Sequence, residues 1–165
     1  MKILYSPWRE AYAMDMRATK QHNASSNDCV FCQQLAQRQD EKNFIIKRFE
    51  HSYIMLALYP YNAGHMLILP YAHQANLFDI HQDTRNEMMD IVAQATRVCN
   101  ETLKADGCNV GINLGKAAGA GIPAHLHVHV VPRWAGDTNF MPVIGEVKQI
   151  SFDLQKIYEK LKGAF

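Results

Sequence analysis

The sequence predicts an α+β domain in which one antiparallel sheet of about five strands carries a long helix and a closing C-terminal helix. Three observations lead there. Five short apolar segments, several of them alternating with polar residues, are separated by Gly, Pro, Asn and Asp. One long stretch instead repeats its apolar residues at helical spacing. Most connections are short, which favours antiparallel neighbours over crossovers.

Residues 1–28 read as an N-terminal arm, and residues 29–165 as a single domain. Tyr5, Trp8 and Tyr12 are the arm's candidate anchors, and Asn23–Asp28 is a loop. Cys29-Val30-Phe31-Cys32 opens a short helix running to about Arg38. Phe44–Arg48 and His51–Leu58 are the first two strands, joined by a turn. Tyr59–Gly64 is a connecting loop, and His65–Pro70 is a third strand stopped by its proline. The long helix is predicted from Gln82 to Lys104, on the stripe Met88, Ile91, Val92, Ala95, Val98, Cys99, Thr102 and Leu103. Gly107 ends the connection beyond it. Cys108–Leu114 is a fourth strand in which Val110, Ile112 and Leu114 share a face. Gly115–Ala124 is a small-residue loop, Trp134–Val143 a second loop, and Leu154–Lys162 the closing helix.

The fifth strand is the most informative. In His125-Leu126-His127-Val128-His129-Val130-Val131-Pro132-Arg133 three histidines alternate with apolar residues. A strand aligns the imidazoles on one face, roughly 6.5–7 Å apart, and turns Leu126, Val128 and Val130 toward a core. A helix would separate His127 from the other two. Two chemistries fit such a row: a mononuclear metal site, or nucleophilic attack by a neutral imidazole whose other nitrogen is held by an acceptor. His127, in the middle, is best flanked for the second. Gly115, Gly119 and Gly121, with Lys116, make the preceding loop either a plain tight connection or a cradle of peptide N–H groups for phosphate.

The 165 residues carry a formal charge of +1, so no global field draws the chain to nucleic acid or an anionic membrane. No apolar run approaches the ~20 residues of a membrane span, and the first residues lack a secretory pattern. The expected compartment is the reducing cytoplasm, where Cys29, Cys32, Cys99 and Cys108 favour burial or metal ligation over disulfides. Cys99 and Cys108 lie on apolar stripes and read as core. Cys29 and Cys32 are either buried cysteines at a helix start or two thiolates at zinc spacing. In the second case spacing leaves the remaining ligands open among His22, His51, His65, His73, His81 and His125.

The run from His125 to Val131 resembles the signature of the histidine triad (HIT) family, His-φ-His-φ-His-φ-φ with φ apolar. Pro7-Trp8-Arg9, Cys29–Cys32, Leu58–His65 and Gly136–Val143 are similar to its bacterial diadenosine tetraphosphate phosphorylase-like branch. The resemblance implies a HIT-like fold, a homodimer joined through its sheets, and nucleotidyl transfer through a covalent nucleotidyl-histidine. It implies His127 as nucleophile, with His129 and His65 beside the phosphate. Asn113 and the backbone of Gly119, Ala120, Gly121 and Ile122 would contact the phosphate, and Met55 and Leu67 would belong to the base pocket. It implies a structural Zn2+ on Cys29, Cys32, His73 and His125, with no organic cofactor. His129 stands where related hexose-1-phosphate uridylyltransferases carry glutamine, which favours a hydrolase or phosphorylase. Two positions depart from the pattern. Ala57 replaces the Asn or Asp that holds the ribose, with Asn62 a nearby substitute, and Gly121-Ile122 replaces a side-chain donor pair. These departures keep open an adenosine phosphoramidate hydrolase or a nucleotide-binding regulatory protein.

Overall fold

The computed structural model describes residues 25–139 and 152–165. The arm anchors Tyr5, Trp8 and Tyr12, the candidate ligand His22 and part of the second loop lie outside the described residues. The elements follow in the order α1 (Val30–Ala36), β1 (Ile45–Arg48), β2 (Ser52–Leu56), β3 (Met66–Pro70), α2 (Gln82–Leu103), β4 (Gly107–Ile112), β5 (Val128–Arg133) and α3 (Leu154–Lys162). The strands form one sheet in the order β1-β2-β3-β5-β4, every neighbouring pair antiparallel.

Strand alternation divides the side chains between two layers. Ile54, Leu56, Met66, Ile68, Val128 and Val130 face α2 and α3 and join Ile91, Ala95, Val98, Cys99, Tyr158 and Leu161 in the main core. Tyr53, Met55, Leu67 and Leu69 face the other way, onto Cys29 and Phe31 at the start of α1. Burying each such aliphatic side chain stabilises the fold by about 1.5–3 kcal/mol. The chemistry described below sits on the α1 side, and α2 and α3 stiffen the sheet from behind.

Three boundaries differ from expectation. The histidine row was expected to be strand from His125, but ladder pairing begins at Val128, opposite Ile68. In that register Leu126 would face Pro70, which has no N–H to offer; the Leu126 N–H instead donates to the Gln74 carbonyl at 2.7 Å. The long helix is capped by Lys104 in the left-handed region (φ 56), while Gly107 opens β4 instead of ending the connection. On β4, alternation predicts a shared face but not a covered one: Val110 and, just beyond the strand, Leu114 are 46% and 47% exposed. β4 is an edge strand, so among the described residues nothing continues the sheet over that side.

Gly64 shows where glycine is required. Its φ is +69, and a Cβ there would lie 2.5 Å from Leu103 Cδ1 at the end of α2. Gly64→Ala is expected to lose about 1–3 kcal/mol from left-handed strain and displacement of Leu103. A lower urea midpoint at unchanged m-value checks this.

Candidate functional site

Two adjoining clusters lie on the α1 side of the sheet. In the first, one donor atom each from Cys29, Cys32, His73 and His125 falls within 4.8 Å of every other. Cys29 Sγ is 3.4 Å from His125 Nδ1, and Cys32 Sγ is 3.5 Å from both His125 Nδ1 and His73 Nδ1. A tetrahedron with zinc-like bonds has edges of ~3.3–3.8 Å, so these separations and the S2N2 donor set fit a four-coordinate metal ion. The ring of His125 is already aimed. Its Nε2–H donates to the Pro70 carbonyl at 3.0 Å, which leaves the Nδ1 lone pair toward the two sulfurs. Burial pushes the His125 imidazole down to about 4, so it stays neutral and able to ligate. Burial, then the neighbouring Cys29, pushes the Cys32 thiol up to about 11; a bound cation would reverse that preference. Of the other histidines left open by spacing, His51 and His81 lie elsewhere, near Glu50 and Asp83, and His65 belongs to the second cluster.

That second cluster is His65, His127 and His129 with Tyr61. The hydrogen bonds determine its tautomers. The Tyr61 N–H donates to His65 Nδ1 at 3.1 Å, so the ring proton of His65 is on Nε2. His65 Nε2 is 3.0 Å from His129 Nδ1 and must be the donor. Burial, and secondly His127, lower His129 to about 4, so it is neutral and carries its proton on Nε2. That Nε2 is buried without a partner. Beside it, His127 Nδ1–H donates to the His125 carbonyl at 2.8 Å, which places the His127 lone pair on Nε2. Burial lowers the His127 imidazole too. The two rings are edge to face with centroids 4.8 Å apart. An imidazole lone pair and an unused N–H donor are thus held on adjoining rings.

The remaining predicted residues fall around this pair. Leu67 pairs directly with both Met55 and His129, so the three share a row and a face of the sheet. Met55 and Leu67 are buried beside Ala57 and Ile122. Asn113 directly follows Ile112, the β4 residue that pairs with Val128 at the end of the β4–β5 ladder. In the glycine loop, Gly119 N–H donates to the Lys116 carbonyl and Ala120 N–H to the Gly115 carbonyl. Of the four predicted N–H groups, from Gly119 to Ile122, these bonds take the first two and not those of Gly121 and Ile122. Asn62 is a correction: it does not substitute for the missing ribose contact at Ala57. It is buried, and its amide donates to the Pro132 carbonyl at 3.0 Å and to Asp137 Oδ2 at 2.8 Å. Asp137 also binds Arg133 through Nε at 2.6 Å, so Asn62 locks the end of β5 to the loop beyond.

Two contributors were not singled out from sequence. Tyr61 stacks on His65 and His129 at 4.8 and 5.7 Å, and Phe31 meets His125 and His127 edge-on at 5.6 and 5.4 Å. Phe31 lies inside the Cys-x-x-Cys segment and Tyr61 four residues before His65, but only the fold brings either ring to the site.

His129 also makes stability depend on pH. Its folded value of about 4 lies below the ~6.5 of an unfolded histidine. The unfolded chain therefore takes up the proton first, and the stability this group contributes above pH 6.5 is lost as pH falls toward 4. Allowing for the half-buried ring, wild type should lose about 1–2 kcal/mol more between pH 7 and pH 5 than His129→Gln does. Urea titrations at the two pH values measure this, and equal losses would contradict it.

Fold and site together define a histidine-triad protein, its three histidines divided between a Cys/His cluster that could hold a metal ion and a pair of adjoining imidazoles. The chain belongs to the HIT family: the HIT domain model matches residues 38–136. It is 37% identical over 150 residues to an AP-4-A phosphorylase from Mycobacterium tuberculosis strain H37Rv, covering 91% of this chain and 77% of that protein. It is 29% identical over 144 residues to an adenosine 5'-monophosphoramidase from Candida albicans, covering 84% of this chain and 92% of that one. A crystal structure of a Zn-bound histidine triad family protein from Mycobacterium smegmatis superposes with a TM-score of 0.70 at 31% identity. It covers 85% of this chain and 94% of that one.

Proposed function

We propose that the protein is a nucleotide hydrolase or phosphorylase acting on AMP-linked substrates such as diadenosine polyphosphates. The observation that carries this is the lone pair of His127 Nε2 beside the unpartnered N–H of His129. His127 Nε2 attacks the α-phosphorus in line, the N–P bond forms, and the bond to the leaving phosphate oxygen breaks. The His129 Nε2–H and the loop N–H groups of Gly121 and Ile122 face the oxygens on which charge develops. His65 holds His129 in the donor tautomer, and the Tyr61 N–H holds His65. Water or inorganic phosphate then takes the nucleotidyl group from His127, giving AMP or ADP respectively. Asn113 orients the phosphate, and Met55 and Leu67 border the base.

The resident metal in this reading is Zn2+, structural because all four positions are filled by protein. Its chemistry is to hold α1, the segment after β3 and the start of the histidine row together. The reading further includes a cytoplasmic location and a homodimer that continues the sheet across the β4 edge, where Val110 and Leu114 are exposed. Among the described residues no helix is long and apolar enough to cross a membrane.

A substrate panel tests the activity: diadenosine polyphosphates and AMP-amides, each with and without inorganic phosphate, read by nucleotide product. Phosphate-dependent ADP from the dinucleotide supports phosphorolysis, and AMP irrespective of phosphate supports hydrolysis. Turnover of AMP-amides alone would favour the phosphoramidate hydrolase, the second reading, which the similarity to the Candida albicans enzyme supports. No turnover of any member would contradict both.

A further inference from the structure

The carboxylate of Asp137 has no part in the chemistry above, yet its side chain is only 8% exposed. A carboxylate withdrawn from water is costly unless donors surround it. Arg133 donates to it through Nε at 2.6 Å and Nη2 at 2.9 Å, the Trp134 N–H at 3.3 Å and the Thr138 hydroxyl at 3.1 Å. These three residues are neighbours of Asp137 in sequence. Asn62 is not: it lies seventy-five positions away and donates to Oδ2 at 2.8 Å. The same amide also donates to the Pro132 carbonyl at 3.0 Å, on β5 three residues beyond His129.

Asn62 is also where the turn before β3 closes. Its carbonyl accepts the His65 N–H at 3.2 Å, and the N–H of the preceding residue, Tyr61, donates to His65 Nδ1 at 3.1 Å. One buried residue thus holds the turn by its main chain and ties it to the end of β5 by its side chain. What the turn presents decides where a proton sits. With the Tyr61 N–H on Nδ1, His65 keeps its proton on Nε2, donates it to His129 Nδ1 at 3.0 Å, and leaves His129 a donor at Nε2. If the Tyr61 N–H turns away, the pair has a second arrangement with the same number of protons. His65 then carries its proton on Nδ1, its Nε2 accepts from His129 Nδ1–H, and His129 Nε2 becomes a lone pair that cannot donate to an anionic oxygen.

We infer that Asp137, acting through Asn62, is a positioning residue that holds the His65–His129 pair in the tautomer with a donor at His129 Nε2. Its effect on turnover rests on the reading of His129 as a donor to phosphate; its effect on the tautomer does not. Met55 and Leu67 lie in a separate buried cluster, so substrate affinity should depend little on the clamp.

The test compares Asp137→Ala, which removes the acceptor, with Asp137→Asn, whose carbonyl can still accept from Asn62. Both lose the Arg133 ion pair, so a role in stability alone would make them alike. With 15N in the histidine rings, two-bond 1H–15N spectra should show His65 and His129 protonated at Nε2 in wild type and in Asp137→Asn. In Asp137→Ala the His129 ring nitrogens should move toward an average of the two tautomers. Asn62→Ala, which cuts the link from its other end, should repeat that shift. On a diadenosine polyphosphate, kcat should fall roughly 100-fold in Asp137→Ala, the scale expected of a small misplacement caused from a distance. KM should change little, and Asp137→Asn should recover most of kcat. Tautomers and kcat alike in the two Asp137 variants overturn the inference and leave the functional reading standing. So does failure of both Asp137→Ala and Asn62→Ala to fold, which makes the contact a lock of the fold. Wild type with the proton on His129 Nδ1 overturns the inference together with the donor role of His129. Wild type without turnover removes the functional reading, and the spectra alone then decide the tautomer.

Discussion

His127→Ala is expected to reduce turnover by roughly 10^4- to 10^6-fold, the range seen when a nucleophile is removed and only binding and electrostatic groups remain. The side chain is buried, its Nδ1 meets the His125 carbonyl, and its ring packs edge-on against Phe31. Removing it should therefore also cost about 1–3 kcal/mol of stability from a lost hydrogen bond and a small cavity. Far-UV circular dichroism and urea unfolding should report a folded, slightly weakened protein. Nucleotide binding should survive, because Leu67, Met55, His129 and the glycine loop stay in place. A folded variant turning over the wild-type substrate at the wild-type rate would remove His127 from the nucleophile's role.

The second large effect is expected from the metal cluster. Cys32→Ala removes one of four donors, and metal content should fall from near one ion per chain to less than about a tenth. If wild type is handled at free metal about 1,000-fold above its Kd, losing that binding removes about 4 kcal/mol. For a chain of this size that corresponds to a Tm lower by roughly 8–16 °C. Activity should fall as well, although no cluster donor touches the reacting atoms. His125 ties the two clusters together: its ring offers Nδ1 to the sulfurs, and its carbonyl fixes the tautomer of His127. Loosening the ring loosens the carbonyl, so kcat should drop more than substrate affinity. A Cys32→Ala protein with unchanged metal content, Tm and kcat would contradict this arrangement.

The residues that were legible in the sequence share a cause. Leu126, Val128 and Val130 alternate with the histidines, and alternation alone sends them into the core and the imidazoles to the opposite side. The stripe from Met88 to Cys99 likewise specifies α2 without reference to anything else. Where the outcome depends on what a distant segment supplies, local pattern is silent. Pro70 sets where the β3–β5 ladder stops, because it brings no N–H to Leu126. Val110 and Leu114 keep strand alternation but lie on an edge that no described residue covers. The metal donors were narrowed to His73 and His125 by resemblance, since six histidines satisfied the spacing. Asn62 lies beside Ala57 in sequence, but Pro132 and Asp137, seventy and seventy-five positions away, take its donors. Tyr61 and Phe31 carry no motif; each reaches the site through a contact made only by the folded chain.

The central claim is that the nucleotidyl group is carried on His127, and a single-turnover trapping experiment tests it most directly. Enzyme in excess over adenosine-labelled dinucleotide is quenched in base, where a phosphoramidate persists, and the labelled peptide is mapped by mass spectrometry. One adenylyl group on His127, formed and lost at rates that account for product release and absent in His127→Ala, is the predicted result. Product formation with no covalent species, or the label on His129 or His65 instead, would contradict the account.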